Sequence, residues 1–183
     1  MKNPNKRRAH PIKHFCTITR HRHKVIAHCF RVGIGFQGLF HDLSKYSHTE
    51  FIQGARYYVG YRSPTELERE ETGLSLAWMH HKGRNKHHFE YWNDVNPKTK
   101  NYESVPMPKR YVAEMFCDRI AASKIYKGKN YTDASPYEYF AQGRGKKIMH
   151  PETAELIERW LILLRDEGER AAFKTIRKEL KNK

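Results

Sequence analysis

Apolar residues recur at helical spacing along most of this chain. From about Thr17 to Val32, the residues Ile18, Val25, Cys29 and Val32 fall at i, i+7, i+11 and i+14, which is one face of a helix. Gly33 and Gly35 end it. A second helix is predicted from about Phe36 through His41 and Asp42 to Leu43 or Lys45. Ser47-His48-Thr49-Glu50 starts a third, with Phe51, Ile52, Ala55, Tyr58 and Val59 on one face. Ser63 followed by Pro64 and Glu66 reads as an N-cap with proline at the first helical position. That helix is expected to run to about His81, with an interruption at Gly73.

Residues 82–107 are polar and carry Gly83, Pro97 and Pro106, so a long loop with a short helix near His88–Trp92 is expected. Pro108 opens the next helix, to about Lys127, with Tyr111, Met115, Asp118, Ala122 and Ile125 on its stripe. A loop-rich stretch over 128–150 holds a short helix near Pro136–Phe140. Pro151 opens the last helix, whose apolar face is Leu156, Trp160, Leu163 and Leu164, and which is expected to fray from about Phe173. Strand patterns and internal repeats do not stand out, so the fold class is all-α. One domain over 13–183 is expected behind a basic arm at 1–12.

Charge narrows the partners. Lys and Arg number 35 against 20 Asp and Glu, a formal net charge of +15. Such a surface favours anionic partners: nucleic acid, nucleotides or phosphorylated metabolites. Three widely spaced cysteines, Cys16, Cys29 and Cys117, fit reduced thiols in a cytoplasm better than a disulfide framework or a cysteine-type zinc site. With no long apolar run and a polar N-terminus, no membrane association is expected.

The chemistry gathers around a few histidines and carboxylates. His41 and Asp42 are adjacent, so on a helix they point about 100° apart and both reach one cation off the flank. His21 shares the inner stripe with Ile18 and Val25, and an ionisable group there needs a partner. His28, two turns on along that stripe, is the alternative first ligand. Asp118 lies among apolar stripe neighbours and also needs a partner, which Arg119, about 100° away on the same helix, does not supply. Imidazole with carboxylate suits a borderline divalent metal (Mn, Fe, Co, Ni or Zn). A mixed site of this kind lowers the pKa of bound water and supplies a nucleophile near neutral pH. Asp42 is the candidate to activate that water.

The run from His80 to His88 packs four His and three cations into nine positions. One reading is an anion pocket in which Lys82, Arg84 and Lys86 hold phosphate oxygens and a histidine acts as general acid or second metal ligand. The other is a solvated basic loop. Lys45, four residues after His41, is placed to neutralise a substrate phosphate.

His21-x-x-x-Val25, His41-Asp42 with Lys45, His80-His81 and Asp118 on a later helix together resemble the HD-domain metal-dependent phosphohydrolase superfamily over about residues 17–127. More closely, the runs from His41 to Ser47, His80 to His88 and His150 to Thr153 resemble a bacterial and phage family of undefined activity placed near that superfamily. The superfamily resemblance implies an all-helical fold and hydrolysis of phosphomonoesters or phosphodiesters, often nucleotides. It implies His21, His41, Asp42 and Asp118 as metal ligands, with His80 or His81 serving a second metal or the phosphate. On that reading Asp42, Lys45 and His81 carry catalysis, and Lys45, Lys82, Arg84, Lys86 and His88 hold substrate phosphate. The competing class is a basic helical module that binds nucleic acid, with structural histidines and with Tyr91, Trp92 and Tyr102 stacking on bases.

Overall fold

A computed structural model describes residues 7–143 and 148–182. The fold is an all-α bundle, with one small hairpin. Helix α1 (Pro11–Val32) opens on a proline at its first turn and buries His14, Ile18, His21, Val25, His28, Cys29 and Val32. It starts six residues before the expected Thr17, so Pro11 and Ile12, expected in the basic arm, are helical. His10 N–H bonds the Ala55 carbonyl at 2.8 Å, and Arg7 pairs with Glu71, which ties the described end of that arm to the bundle. Residues 1–6 lie outside the described residues.

The predicted second helix is only one turn, α2 (Gly35–Gly38), and the chain then leaves helical geometry. Gly38 is required here: a Cβ at this position would lie 2.5 Å from Cys29 Cβ, so its absence lets the segment press onto α1. Asp42 follows with φ +54°, in the left-handed region, and Leu43–Tyr46 forms a 3₁₀ turn. An aspartate adopts this conformation more readily than most side chains. His41 and Asp42 are therefore presented by a tight turn, not by the expected helix.

Helix α3 (His48–Arg56) is capped by Ser47 Oγ, which accepts from Glu50 N–H. It ends before Tyr58 and Val59, and Ile52 is exposed, so only part of the predicted face is internal. The expected long helix after Ser63 is two, α4 (Pro64–Thr72) and α5 (Leu76–Lys82), parted at Gly73. Ser75 caps α5 by accepting from Trp78 N–H at 3.0 Å. A 3₁₀ turn (Phe89–Tyr91) leads into β1 (Asn93–Val95), which pairs antiparallel with β2 (Tyr102–Ser104), Asp94 opposite Glu103.

Helix α6 (Lys109–Lys127) forms the centre of the bundle, packed on α1 and on the last helix. Val112 through Cys117 are all buried, so its middle is enclosed on every side and carries no single stripe. That is why Val112, Phe116 and Ile120 lie deeper than the predicted Tyr111, Ala122 and Ile125. Helix α7 (Ser135–Gln142) packs on α6 and α8 (Pro151–Lys181), the latter broken at Gly168 by φ 79° and ψ 172°. The expected fraying from Phe173 does not occur. Phe173 and Ile176 are buried in the core, Phe173 against Phe116 of α6, and Arg159 pairs with Glu179 across the break at 2.7 Å. None of the described helices is long and apolar enough to cross a membrane.

Candidate metal centre

Three elements converge beneath α1. His21 projects from the middle of α1, His41 and Asp42 from the turn after α2, and Asp118 from the middle of α6. His21 Nε2 lies 2.9 Å from Asp118 Oδ1 and 3.8 Å from Asp42 Oδ2. His41 Nε2 lies 3.2 Å from Asp42 Oδ2 and 3.7 Å from Asp118 Oδ1. Arg22 holds the turn in place by donating to the carbonyls of His41 and Leu39.

A second set meets the other oxygen of the same aspartate. His81, at the end of α5, and His87, in the loop beyond it, bring their Nε2 atoms to 3.2 and 3.5 Å from Asp42 Oδ1. His88 stacks against His87 with ring centroids 4.1 Å apart and joins them. The ligand-capable atoms of His21, His41, Asp42 and Asp118 lie within 4.8 Å of one another, and so do those of Asp42, His81, His87 and His88. Asp42 is common to both sets and nearly fully buried.

The outer nitrogens are held by two further carboxylates. Glu114 Oε1 takes His41 Nδ1 at 2.9 Å and faces His87 Nδ1 at 3.3 Å. Glu50 takes His81 Nδ1 at 2.8 Å and His80 Nδ1 at 2.6 Å. A carboxylate on Nδ1 fixes ring orientation and leaves Nε2 as the inner, electron-donating atom, the second layer typical of metal histidines.

The inner atoms are left unsatisfied. His21 Nε2, His41 Nε2, Asp42 Oδ1, His87 Nε2 and His88 Nε2 are buried without a hydrogen-bond partner, because their close approaches are not aligned as hydrogen bonds. Each such atom costs on the order of 1–3 kcal/mol. Five of them in one spot, all metal-ligating atom types, form a group that could hold a cation.

The electrostatics agree. Burial works against a charged His41, but Asp42, Glu114 and Asp118 outweigh it and push its pKa up to about 10. Burial also works against a charged Asp42, yet His41, Lys45 and His81 hold it well below the usual carboxylate range. Asp118 is held low in the same way, by His21, His41 and His87 acting against burial. The carboxylates are thus held in the ionised form, the form that ligates. His21 and His88, by contrast, are kept neutral chiefly by burial, the state a ligand needs.

The remaining predicted residues divide. Lys45 reaches Asp42 Oδ2 at 2.6 Å, three residues along a 3₁₀ turn, not four along a helix face from His41. His80 belongs to neither ligand-capable set and is spent on Glu50. His28, the alternative first ligand, is elsewhere: its Nδ1 faces the Cys117 carbonyl at 3.3 Å and its ring packs on Phe173. Lys82, Arg84 and Lys86 do not gather into an anion pocket. The run leaves α5 and turns, so Arg84 is exposed and bonds the His80 carbonyl, while exposed Lys86 sits by the rings of Tyr91 and Tyr111. Lys82, half-buried at the end of α5, has no contact with the Asp42 group. His88, expected on phosphate, stands among the ligand-capable atoms.

Sequence reasoning passed over Glu114, Glu50 and His87. Glu114 is one turn before Asp118 on α6, so that spacing carried a signal. Glu50 was hidden by its position in a helix first turn, where glutamate is ordinary.

The fold and the site together define an all-α protein with a buried His/Asp/Glu cluster able to hold a metal ion. A family model matches residues 10–162, and the chain belongs to that family, DUF5662, a family of unknown function. No curated protein and no solved structure matches the chain.

Proposed function

We propose that this chain is a metal-dependent phosphohydrolase of the HD-domain type, acting on a phosphomonoester or phosphodiester, with a nucleotide as one substrate class. One observation carries the reading: Asp42 turns its two oxygens to two separate groups of ligand-capable atoms, each rich in imidazole. A pair of divalent cations (Mn, Fe, Co, Ni or Zn) bound there supplies Lewis-acid activation of water and of a phosphoryl oxygen.

The chain's own residues take distinct parts. Asp42 is buried with Oδ2 facing His41 and Oδ1 facing His81, so it serves as the shared ligand and not as a free base. His81 has Nδ1 on Glu50 and Nε2 on Asp42, so it also ligates and is not free to shuttle protons. Asp118 and Lys45 are the more open members, with side chains 19% and 31% exposed, and they mark the side from which substrate enters. Lys45 is the cation placed to meet a phosphoryl oxygen there. Three free thiols, two of them buried, suit a reducing compartment such as the cytoplasm.

Nucleic acid as a partner rests on less. Of the three aromatics, Tyr102 extends into solvent at 73% exposure beside Lys100, whereas Trp92 packs on Tyr111.

The test is hydrolysis of p-nitrophenyl phosphate, bis-p-nitrophenyl phosphate and a nucleotide panel by protein loaded with each metal in turn. Turnover that EDTA abolishes and Asp118→Asn removes in a folded protein is expected. Metal-loaded protein inert on the whole panel would contradict the reading.

A further inference from the structure

Arg119 is the cation in this region that the metal centre does not use. It follows Asp118 on α6, and its side chain leaves the helix toward α7 and the Phe89–Tyr91 turn. The guanidinium lies over the Phe140 ring, 5.4 Å from its centroid, and Nη2 is 4.0 Å from Met115 Sδ. Asp118, Tyr139 and Glu90 act on its charge. Among the described residues no carboxylate forms an ion pair with it, and its Nε is buried without a hydrogen-bond partner. An Arg side chain with buried hydrogen-bonding capacity left over is costly unless something else fills it.

A second orphan shares the same space. Among the described residues Glu90 Oε2 is also buried without a partner, and Arg119, Lys82 and Arg69 act on its charge. Each is among the charged neighbours of the other, yet a buried donor and a buried acceptor are left without a hydrogen bond between them. The Asp118 and Arg119 Cα atoms are about 3.8 Å apart, and their side chains diverge by about 100°. Asp118 turns to His21 and His41, and Arg119, the next residue, turns to Phe140 of α7. A planar fork in this position matches a phosphate bidentately.

We propose that Arg119 receives a second anionic group of the substrate, so that the centre takes compounds with two adjacent phosphoryl groups, while Glu90 accepts a hydroxyl or amine donor from the same molecule. This rests on the phosphohydrolase reading for the reaction, but not for the binding. Arg119 is a specificity-determining residue in this account, and Lys45 serves the phosphoryl group at the ligand set.

Calorimetric titration of inorganic phosphate and pyrophosphate into the full chain tests it, with manganese-loaded protein and with the same protein stripped by EDTA. Wild type is expected to favour pyrophosphate by at least about tenfold. Arg119→Gln is expected to lose that preference while phosphate affinity and metal content stay within about threefold. Arg119→Lys should recover part of it, since it keeps the charge without the fork. Should Arg119→Gln fail to fold, Arg119→Met keeps the stem packed on Met115 and Phe140 and takes its place. A folded variant that retains the pyrophosphate preference, or that loses phosphate and pyrophosphate in parallel, would overturn the assignment. Wild type that holds none of manganese, iron, cobalt, nickel and zinc would defeat the phosphohydrolase reading alone, because the EDTA-treated samples still measure Arg119.

Discussion

His21 and His28 lie two turns apart on one face of α1, and both are buried, at 7% and 6% exposure. Their surroundings make them opposites. His28 faces a backbone carbonyl and an aromatic ring, and burial drives its pKa down to about 4. His21 faces Asp118 and Asp42 with its inner nitrogen unsatisfied. Burial by itself therefore does not make a histidine a ligand. What separates the two is whether the rest of the chain has already used the ring's hydrogen-bonding capacity.

That contrast can be broken by substitution. Removing the ligand, His21→Ala, is expected to weaken metal binding by more than about 100-fold, beyond the range for an outer partner. His28→Ala is expected to leave metal affinity unchanged and to cost stability alone. Calorimetric metal titration of both variants decides; equal losses would erase the distinction.

His28 should also shape the acid response. Its folded pKa of about 4 lies below its unfolded value of 6.5, so the unfolded chain takes up the proton first. The stabilisation is present above pH 6.5 and is lost as pH falls toward 4, a change of about 3 kcal/mol. His14, buried and also lowered to about 4, adds in the same direction. Denaturant melts of His28→Gln across this window should show a shallower loss than wild type, and an unchanged slope would contradict the assignment.

Glu114→Gln sharpens the outer half of the comparison. It leaves every inner ligand in place but removes the charge that orients His41 and His87. A loss of about 10–100-fold in metal affinity is expected. The smallest effect belongs to Lys82→Ala with Arg84→Ala, which should change turnover by less than roughly threefold, since neither side chain reaches the centre. A larger drop would restore the anion pocket.

How much of this was legible depends on where each signal sits. His21, His41, Asp42 and Asp118 were readable because each is polar in an apolar setting, and the resemblance to a phosphohydrolase motif grouped them. The backbone at Asp42 was not readable: the run from Phe36 to Lys45 has helical composition, and the contacts that accompany its bend, Gly38 against Cys29 and Arg22 on the His41 and Leu39 carbonyls, are distant in sequence. The burial of α6 on all sides comes from α1 and α8 together, which a single-helix periodicity cannot register. The hairpin was hidden because its turn lacks an Asn-Gly signal. It relies instead on Asn96 bonding Lys98 N–H and on Lys100 at φ +61°. The fate of the His80–His88 run was set by which residues Glu50 and Glu114 could reach, and both are distant in sequence.

The central claim is that Asp42 joins two ligand groups around bound metal. Wild type and the Asp42→Ala, Asp118→Ala double variant would be equilibrated with manganese, iron, cobalt, nickel and zinc, desalted, and analysed by elemental mass spectrometry. About two metal ions per wild-type chain, lost from a double variant with unchanged helical circular dichroism, is the result expected from the two ligand-capable groups that share Asp42. Equal metal content in the two proteins would contradict it and leave the buried carboxylates as structural partners of their histidines.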